Sequence, residues 1–275
     1  MIQNKIIKIS KKGFFLAESP ILISKNNLAW IDIYEKKLLI LNLVNKKIKQ
    51  KKFKQFLGFL SHYKKGLIIG LENKIINYSL LNGKISNLTK INLKKGLRTN
   101  DGFLDNLGNL WFGVLDEEKK FRGGLFCKYK STSKVLKIFD NINTPNGPVF
   151  INNKEFFFND TSRQITFRCK ITNSYVKKKK FKIFKQNQKP DGMFFDKKKK
   201  RLWICFFGNS LVNCYNMDGK RLGSIKLKAK NLTKCVIDKY RKNTMYVTSA
   251  YKNLTKKTYD KKFDGFIFKV KNKLI

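Results

Sequence analysis

One apolar strand pattern returns six times along this chain at a nearly fixed interval, and nothing else in the sequence limits the fold as much. It reads LAWID around Ala29, GLIIGL around Ile68, LWFGV at Trp111, EFFFND at Phe157, LWICFF at Trp203 and MYVTSA at Tyr246. Successive spacings are 39, 43, 46, 46 and 43 residues. A partner strand follows each: KLLILNL, KIINYSL, GLFCKYK, QITFRCK, LVNCYNM and GFIFKV. A third, more polar strand follows most of them: KIKQKKF, KISNL, KVLKIF, KKKFKIF and RLGSIKL. β-Branched and aromatic residues punctuated by Gly, Asn and Asp predict short antiparallel strands. The sixth unit ends at Ile275 without a third strand, and the segment from Lys5 to Ser10 is the spare that completes it. Four-stranded blades at this period are the signature of a β-propeller. The predicted fold is therefore an all-β, six-bladed β-propeller closed by an N-terminal strand, with residues 1–275 as one domain.

Composition agrees with this expectation. A chain of 275 residues buries about three-quarters of its extended surface on folding. Only 4 prolines occur, and no Pro/Ser-rich spacer marks a linker. There is no apolar run of transmembrane length, and lysines interrupt the start, MIQNKIIKISKKGFF, where a signal peptide needs a continuous apolar stretch. A cytoplasmic protein with no membrane partner is expected, as a monomer or weak homo-oligomer. The five cysteines, Cys127, Cys169, Cys205, Cys214 and Cys235, form no CxxC pair and fall mostly inside strand patterns, so they read as small buried hydrophobes.

The net charge of +43 invites a nucleic-acid reading. Against it, the chain holds 54 Lys and only 7 Arg, whereas base and phosphate recognition favours the guanidinium fork. Lys is accompanied by abundant Asn, Ile and 24 Phe, all with A/T-rich codons. Nucleotide bias accounts for all four residues together, and nucleic-acid binding accounts for one. The runs Lys177–Lys180 and Lys197–Lys200 are expected on solvated blade edges, where lysines also block edge-to-edge association. No specific nucleic-acid partner is expected.

Three segments in register suggest a site. Asn100-Asp101-Gly102, Asn146-Gly147 after Pro145, and Asp191-Gly192 after Pro190 place Asn100, Asn146 and Asp191 46 and 45 residues apart. Equivalent positions of a closed circular repeat converge near its axis. Glu18, in LAESP, stands in the same phase, at the entry of the first blade's innermost strand, PILIS. Any one Asn-Gly or Asp-Gly pair is ordinarily a turn former; four residues in one phase point to an oxygen-only cation site. The single histidine, His62, sits in the turn-like SHYKKG, with nothing around it for a triad or a zinc site. No phosphate loop or dinucleotide fingerprint is present.

The segments LAESP, LRTNDGFLDNLGNLWFGVLDEE, GGLF, TPNGPVF, KPDGMFFD…RLWICFFG and MYVTSA resemble the regucalcin/gluconolactonase family of six-bladed propellers, over roughly residues 14–270. The resemblance implies a divalent cation (Ca²⁺, Mg²⁺, Mn²⁺ or Zn²⁺) held by Glu18, Asn146 and Asp191. It implies substrate binding by Arg98 and Asn100, and by Glu118 or, less directly matched, Glu117. It implies hydrolysis of a sugar lactone or related ester, and some members have calcium-binding or regulatory roles. Ser19 replaces the glycine usual after the metal-binding Glu, and Thr99 replaces a common proline. Thr233-Lys234-Cys235 stands where a Thr-Ser-Cys motif is usual, so a lysine charge enters near the substrate and brings acidic or uronic lactones into consideration. The loop between Asp116 and Gly123 is short for a lid.

The chemistry implied is that of an enzyme opening a small-molecule sugar lactone. Asp191 acts as ligand and as acceptor of the proton of attacking water, and no histidine is needed. Two other classes fit the fold. One is a non-catalytic propeller that binds metal or a protein partner; the other is a lysine-rich propeller that binds nucleic acid.

Overall fold

The computed structural model describes residues 5–173 and 175–275, and its described residues form strands and turns without a helix. β1 (Lys5–Lys8) precedes the first repeat, β2 (Ala17–Ser24), β3 (Asn27–Asp32), β4 (Lys37–Asn42) and β5 (Ile48–Lys52). The second repeat is β6 (Leu57–Tyr63), β7 (Gly66–Leu71), β8 (Lys74–Ser79) and β9 (Ile85–Lys90); the third is β10 (Leu97–Leu104), β11 (Leu110–Asp116), β12 (Gly123–Lys128) and β13 (Val135–Ile142). The fourth is β14 (Pro145–Asn152), β15 (Glu155–Asp160), β16 (Ile165–Ile171) and β17 (Val176–Ile183). The fifth is β18 (Lys189–Asp196), β19 (Arg201–Phe207), β20 (Leu211–Tyr215) and β21 (Arg221–Lys226), and the sixth is β22 (Asn231–Ile237), β23 (Thr244–Ala250) and β24 (Phe268–Lys271). Each of the first five is an antiparallel sheet in simple sequence order, and β1 supplies the outer strand of the sixth, β22-β23-β24-β1. Six four-stranded sheets make the chain a six-bladed β-propeller, with the N-terminal strand paired as expected: Lys5 with Lys271 and Ile6 with Val270.

The chain falls into two compact units. One comprises the described residues up to Lys54 together with Asn187–Ile275, and the other Gln55–Gln186. Each buries its own apolar side chains. In the first unit, Trp203, Val212, Ile225, Leu232, Met245 and Phe268 pack together, and Trp30 packs with Phe14, Leu28 and Leu39. In the second, Trp111 packs with Leu125, Phe150, Phe156 and Phe158. The pattern read from sequence thus marks the second strand of each sheet, whose residues are buried on both faces. All five cysteines are buried and free, as expected of small hydrophobes. Among the described residues no helix is long and apolar enough to cross a membrane.

The lysine runs lie where solvent reaches them. Lys177–Lys180 occupy the outer strand β17, exposed, with Lys177 opposite Lys170 and Lys179 opposite Arg168. Lys197–Lys200 form the turn between β18 and β19. Five turn lysines, Lys36, Lys46, Lys64, Lys119 and Lys200, adopt positive φ, between 50° and 63°, where glycine or asparagine is the usual choice. His62 is not in a turn: it lies in β6, one residue before its end, pairs in register with Leu67 and is exposed.

Candidate active site

The strand that opens each sheet carries a β-bulge, and the bulges fall on the motifs. Register slips between Glu18 and Ile21 in β2, Leu57 and Phe59 in β6, and Thr99 and Gly102 in β10. It slips again between Asn146 and Val149 in β14, Pro190 and Met193 in β18, and Leu232 and Cys235 in β22. A bulge adds an unpaired residue and re-aims its side chain. That is the physical content of the common phase: Glu18, Asn100, Asn146 and Asp191 each stand at or beside the bulge of their strand. Ser19 pays the backbone cost of the β2 bulge with φ of 51°, a conformation natural to glycine.

In the second unit the bulges join into one buried polar chain. Arg98 Nη1 donates to Thr99 O (3.0 Å) and Asn100 Oδ1 (3.1 Å). Asn100 Nδ2 donates to Pro145 O (2.8 Å) and to Asn146 Oδ1 (3.0 Å), and Asn146 Nδ2 donates to Thr161 Oγ1 (2.8 Å). Asp101 fastens the two bulges: its carboxylate accepts from Gly102 N and Gly147 N, both at 2.9 Å. The structure therefore brings Arg98, Asn100 and Asn146 together. The Asn146 oxygen accepts one hydrogen bond from Asn100, and a carbonyl oxygen has capacity for two.

Arg98 is nearly inaccessible, its side chain 4% exposed, and a buried guanidinium needs a counter-charge. Glu117 supplies it, with Arg98 Nε donating to Glu117 Oε1 at 2.6 Å. Glu118 is directed elsewhere, to Lys120 (2.9 Å) and Arg122 (3.2 Å). Lys120 first, and then Arg122, hold its carboxyl below the usual range. The loop that presents both glutamates is built on Asp116. Its carboxylate accepts from the backbone N–H groups of Glu118, Lys120 and Arg122 and from the Arg122 guanidinium, at 2.7–3.1 Å. The Arg122 guanidinium holds the Asp116 carboxyl far below the ordinary range. The sequence showed neither the Arg98–Glu117 pair nor the roles of Asp101 and Asp116. Asp101 reads there as one more turn former of Asn-Asp-Gly, and Asp116 as the end of a strand.

The first unit holds the two carboxylates. Glu18 is buried on β2 and Asp191 on β18. Ser19 N donates to Glu18 Oε2 at 2.6 Å, which fixes that carboxylate against its own bulge. The Ser19 hydroxyl beside it is buried without a hydrogen-bond partner among the described residues. Cys205 and Cys235 are buried; burial, and then the contact with Cys235, raise the Cys205 thiol, so Cys205 is no reactive nucleophile. Among the described residues no group of three or more His, Cys, Asp or Glu side chains could hold a metal ion. Carboxylates are hard oxygen donors, and Glu18 and Asp191 suit a hard, oxygen-preferring ion by their chemistry.

Comparison with known proteins adds the family. The description "SMP-30/Gluconolactonase/LRE-like region" matches residues 16–251. A Bacillus subtilis (strain 168) protein, named provisionally as the sugar lactone lactonase YvrE, is 26% identical over 263 residues, covering 92% of this chain and 90% of that protein. A solved luciferin-regenerating enzyme superposes with a TM-score of 0.87 at 21% identity, covering 98% of this chain and 96% of its own. A calcium-binding protein, regucalcin, from Agrobacterium tumefaciens gives the same TM-score at 20% identity, covering 96% and 92%. Both solved structures share the fold described above.

Proposed function

The chain belongs to the SMP-30/gluconolactonase/LRE-like family, and on that premise we propose that it is a metal-dependent hydrolase that opens a sugar lactone to the aldonic acid. The observation that supports this most is the buried chain Arg98–Asn100–Asn146 in the bulges of β10 and β14. Burying a guanidinium and two amides costs stability that an apolar strand would not, so a scaffold has no use for them.

In this reading Glu18 and Asp191 are the anionic ligands of one divalent cation, and Asn146 Oδ1 is a neutral one. A cation so held supplies Lewis acidity, polarising the lactone carbonyl and stabilising the negative charge that builds on its oxygen. The protein's own groups do the rest. Asp191 accepts a proton from the attacking water at a carboxylate oxygen. The water oxygen bonds to the carbonyl carbon, the ring C–O bond breaks, and the departing alkoxide takes up a proton to become the product hydroxyl. Arg98 and Asn100, held rigid by Glu117 and Asn146, bind sugar hydroxyls and orient the ring.

The test is a pH-stat screen of sugar lactones with Asp191→Asn and Arg98→Ala. Asp191→Asn keeps a ligand oxygen and loses the base, so hydrolysis falls by roughly 10²–10⁴-fold while weakened metal binding persists. Arg98→Ala raises KM with a modest loss of kcat if the guanidinium only anchors hydroxyls. A parent protein that opens no lactone with any divalent ion refutes the enzymatic reading and leaves a binding propeller.

A further inference from the structure

Lys234 lies on β22, the strand packed against both of those that carry the carboxylates. β22 packs against β18, which carries Asp191, and against β2, which carries Glu18. Lys234 lies in the β22 bulge, as Glu18 and Asp191 lie at theirs. Its backbone is pinned on both sides. Lys234 N donates to Thr248 Oγ1 (3.2 Å), and the same hydroxyl donates to Lys234 O (3.1 Å). The neighbouring Thr233 hydroxyl donates to Ala17 O at 2.6 Å, one residue before Glu18. The lysine stem is pressed over Gly192, one residue after Asp191: a Cβ on that glycine would come within 2.5 Å of Lys234 Cβ and 2.6 Å of Cγ. Glycine at 192 is thus the space the stem occupies. The stem that starts there has four methylenes, and it lies on the strand that packs against both carboxylate-bearing strands.

We propose that Lys234 is a built-in counter-cation of Glu18 and Asp191, and that it sets the affinity of the site for a divalent ion by competing for their oxygens. The inference rests on the proposed ligand role of these two residues. An ammonium near a carboxylate pair repels an incoming divalent ion and occupies acceptor lone pairs the ion would use. Being a point charge on a flexible stem, it makes no coordination demand and yields when the ion is concentrated enough. A serine would leave a neutral oxygen instead. The chain therefore fills its site at a higher metal concentration than the same ligands would without the lysine, and in the metal-free protein the ammonium offsets one of the two carboxylate charges.

Calorimetric titration of the metal-stripped full-length protein with CaCl₂ and MnCl₂ tests this on the parent, Lys234→Met and Lys234→Arg. Lys234→Met keeps the stem and removes the charge, so Kd falls by at least about tenfold, whereas Lys234→Arg stays near the parent. In chelator, Lys234→Met also melts lower than the parent, and Ca²⁺ restores more of its Tm, because the carboxylates have lost their counter-cation. Lys234→Ser, which gives up the stem as well, provides the same comparison should the methionine variant fold poorly. A parent and Lys234→Met of equal Kd overturn this inference alone. If neither binds either ion, the metal reading falls and the inference with it.

Discussion

Replacing Glu117 with glutamine is the sharpest probe of how the substrate arginine is held. The change keeps size and one acceptor oxygen but removes the charge facing a guanidinium that is 4% exposed. Stripping a fully buried ion pair of one partner costs about 3–5 kcal/mol. Glu117 itself is 38% exposed, so water screens part of the interaction, and Arg98 retains Thr99 O and Asn100 Oδ1 as acceptors. The expected loss is therefore nearer that of one charge-assisted hydrogen bond, about 1–2 kcal/mol. For a chain of this length that lowers Tm by about 2–4 °C. Glu118→Gln, whose carboxylate is itself 40% exposed and faces exposed Lys120 and part-exposed Arg122, leaves Tm unchanged. Differential scanning calorimetry of both variants, with an Arg98→Ala double-mutant cycle to isolate the pair, measures the difference. Because Arg98 is then less firmly oriented, KM for a hydrolysed lactone rises in Glu117→Gln and not in Glu118→Gln. A silent Glu117→Gln, or an equal effect at Glu118, would refute the assignment.

Three further outcomes follow from the same structure. Glu18→Gln weakens divalent-ion binding by calorimetry, since both charge and ligand strength fall; unchanged affinity would remove Glu18 from the ligand set. Removing the first ten residues strips β1 from the sixth sheet and exposes the β24 edge, so Tm falls; an unchanged Tm would show that closure does not depend on this strand. The Asp116 carboxyl is lowered by Arg122, so its stabilising share is present above the unfolded carboxylate pKa, about 4, and is lost as pH falls below it. Arg122→Ala therefore narrows the difference between melts at pH 7 and at pH 3, and an unaltered difference would assign the acid sensitivity to other groups.

Periodicity carried the fold into the sequence, because a strand buried on both faces must be apolar throughout and a repeated blade must repeat that run. The phase of Glu18, Asn100, Asn146 and Asp191 was legible for the same reason. What holds them was not. Glycine marks three of the six bulges, at Gly58, Gly147 and Gly192, but Ser19, Asp101 and Lys234 stand at the others, so no one residue type announces them all. The Glu117–Arg98 pair joins β10 to the loop after β11, and the hydrogen bonds of Asp116 within that loop, which periodicity does not reveal, hold Glu118 turned away from the arginine. Turns were obscured by lysines at positive φ, such as Lys36, Lys46 and Lys64, in places where glycine or asparagine would have announced them.

The pairing of Lys5 with Lys271 and of Ile6 with Val270 also has a consequence for how the protein is made. β1 is synthesised well before β24, so it waits through most of the intervening chain for its partner. Contacts of such sequence separation form slowly, and a strand left waiting is exposed to wrong pairing throughout synthesis. Here the waiting segment is KIIK, two isoleucines fenced by lysines, which discourages stray association while translation continues. The sixth sheet thus fastens only once β24 has been made, and chains cut before β24 lack the strand on which β1 would close.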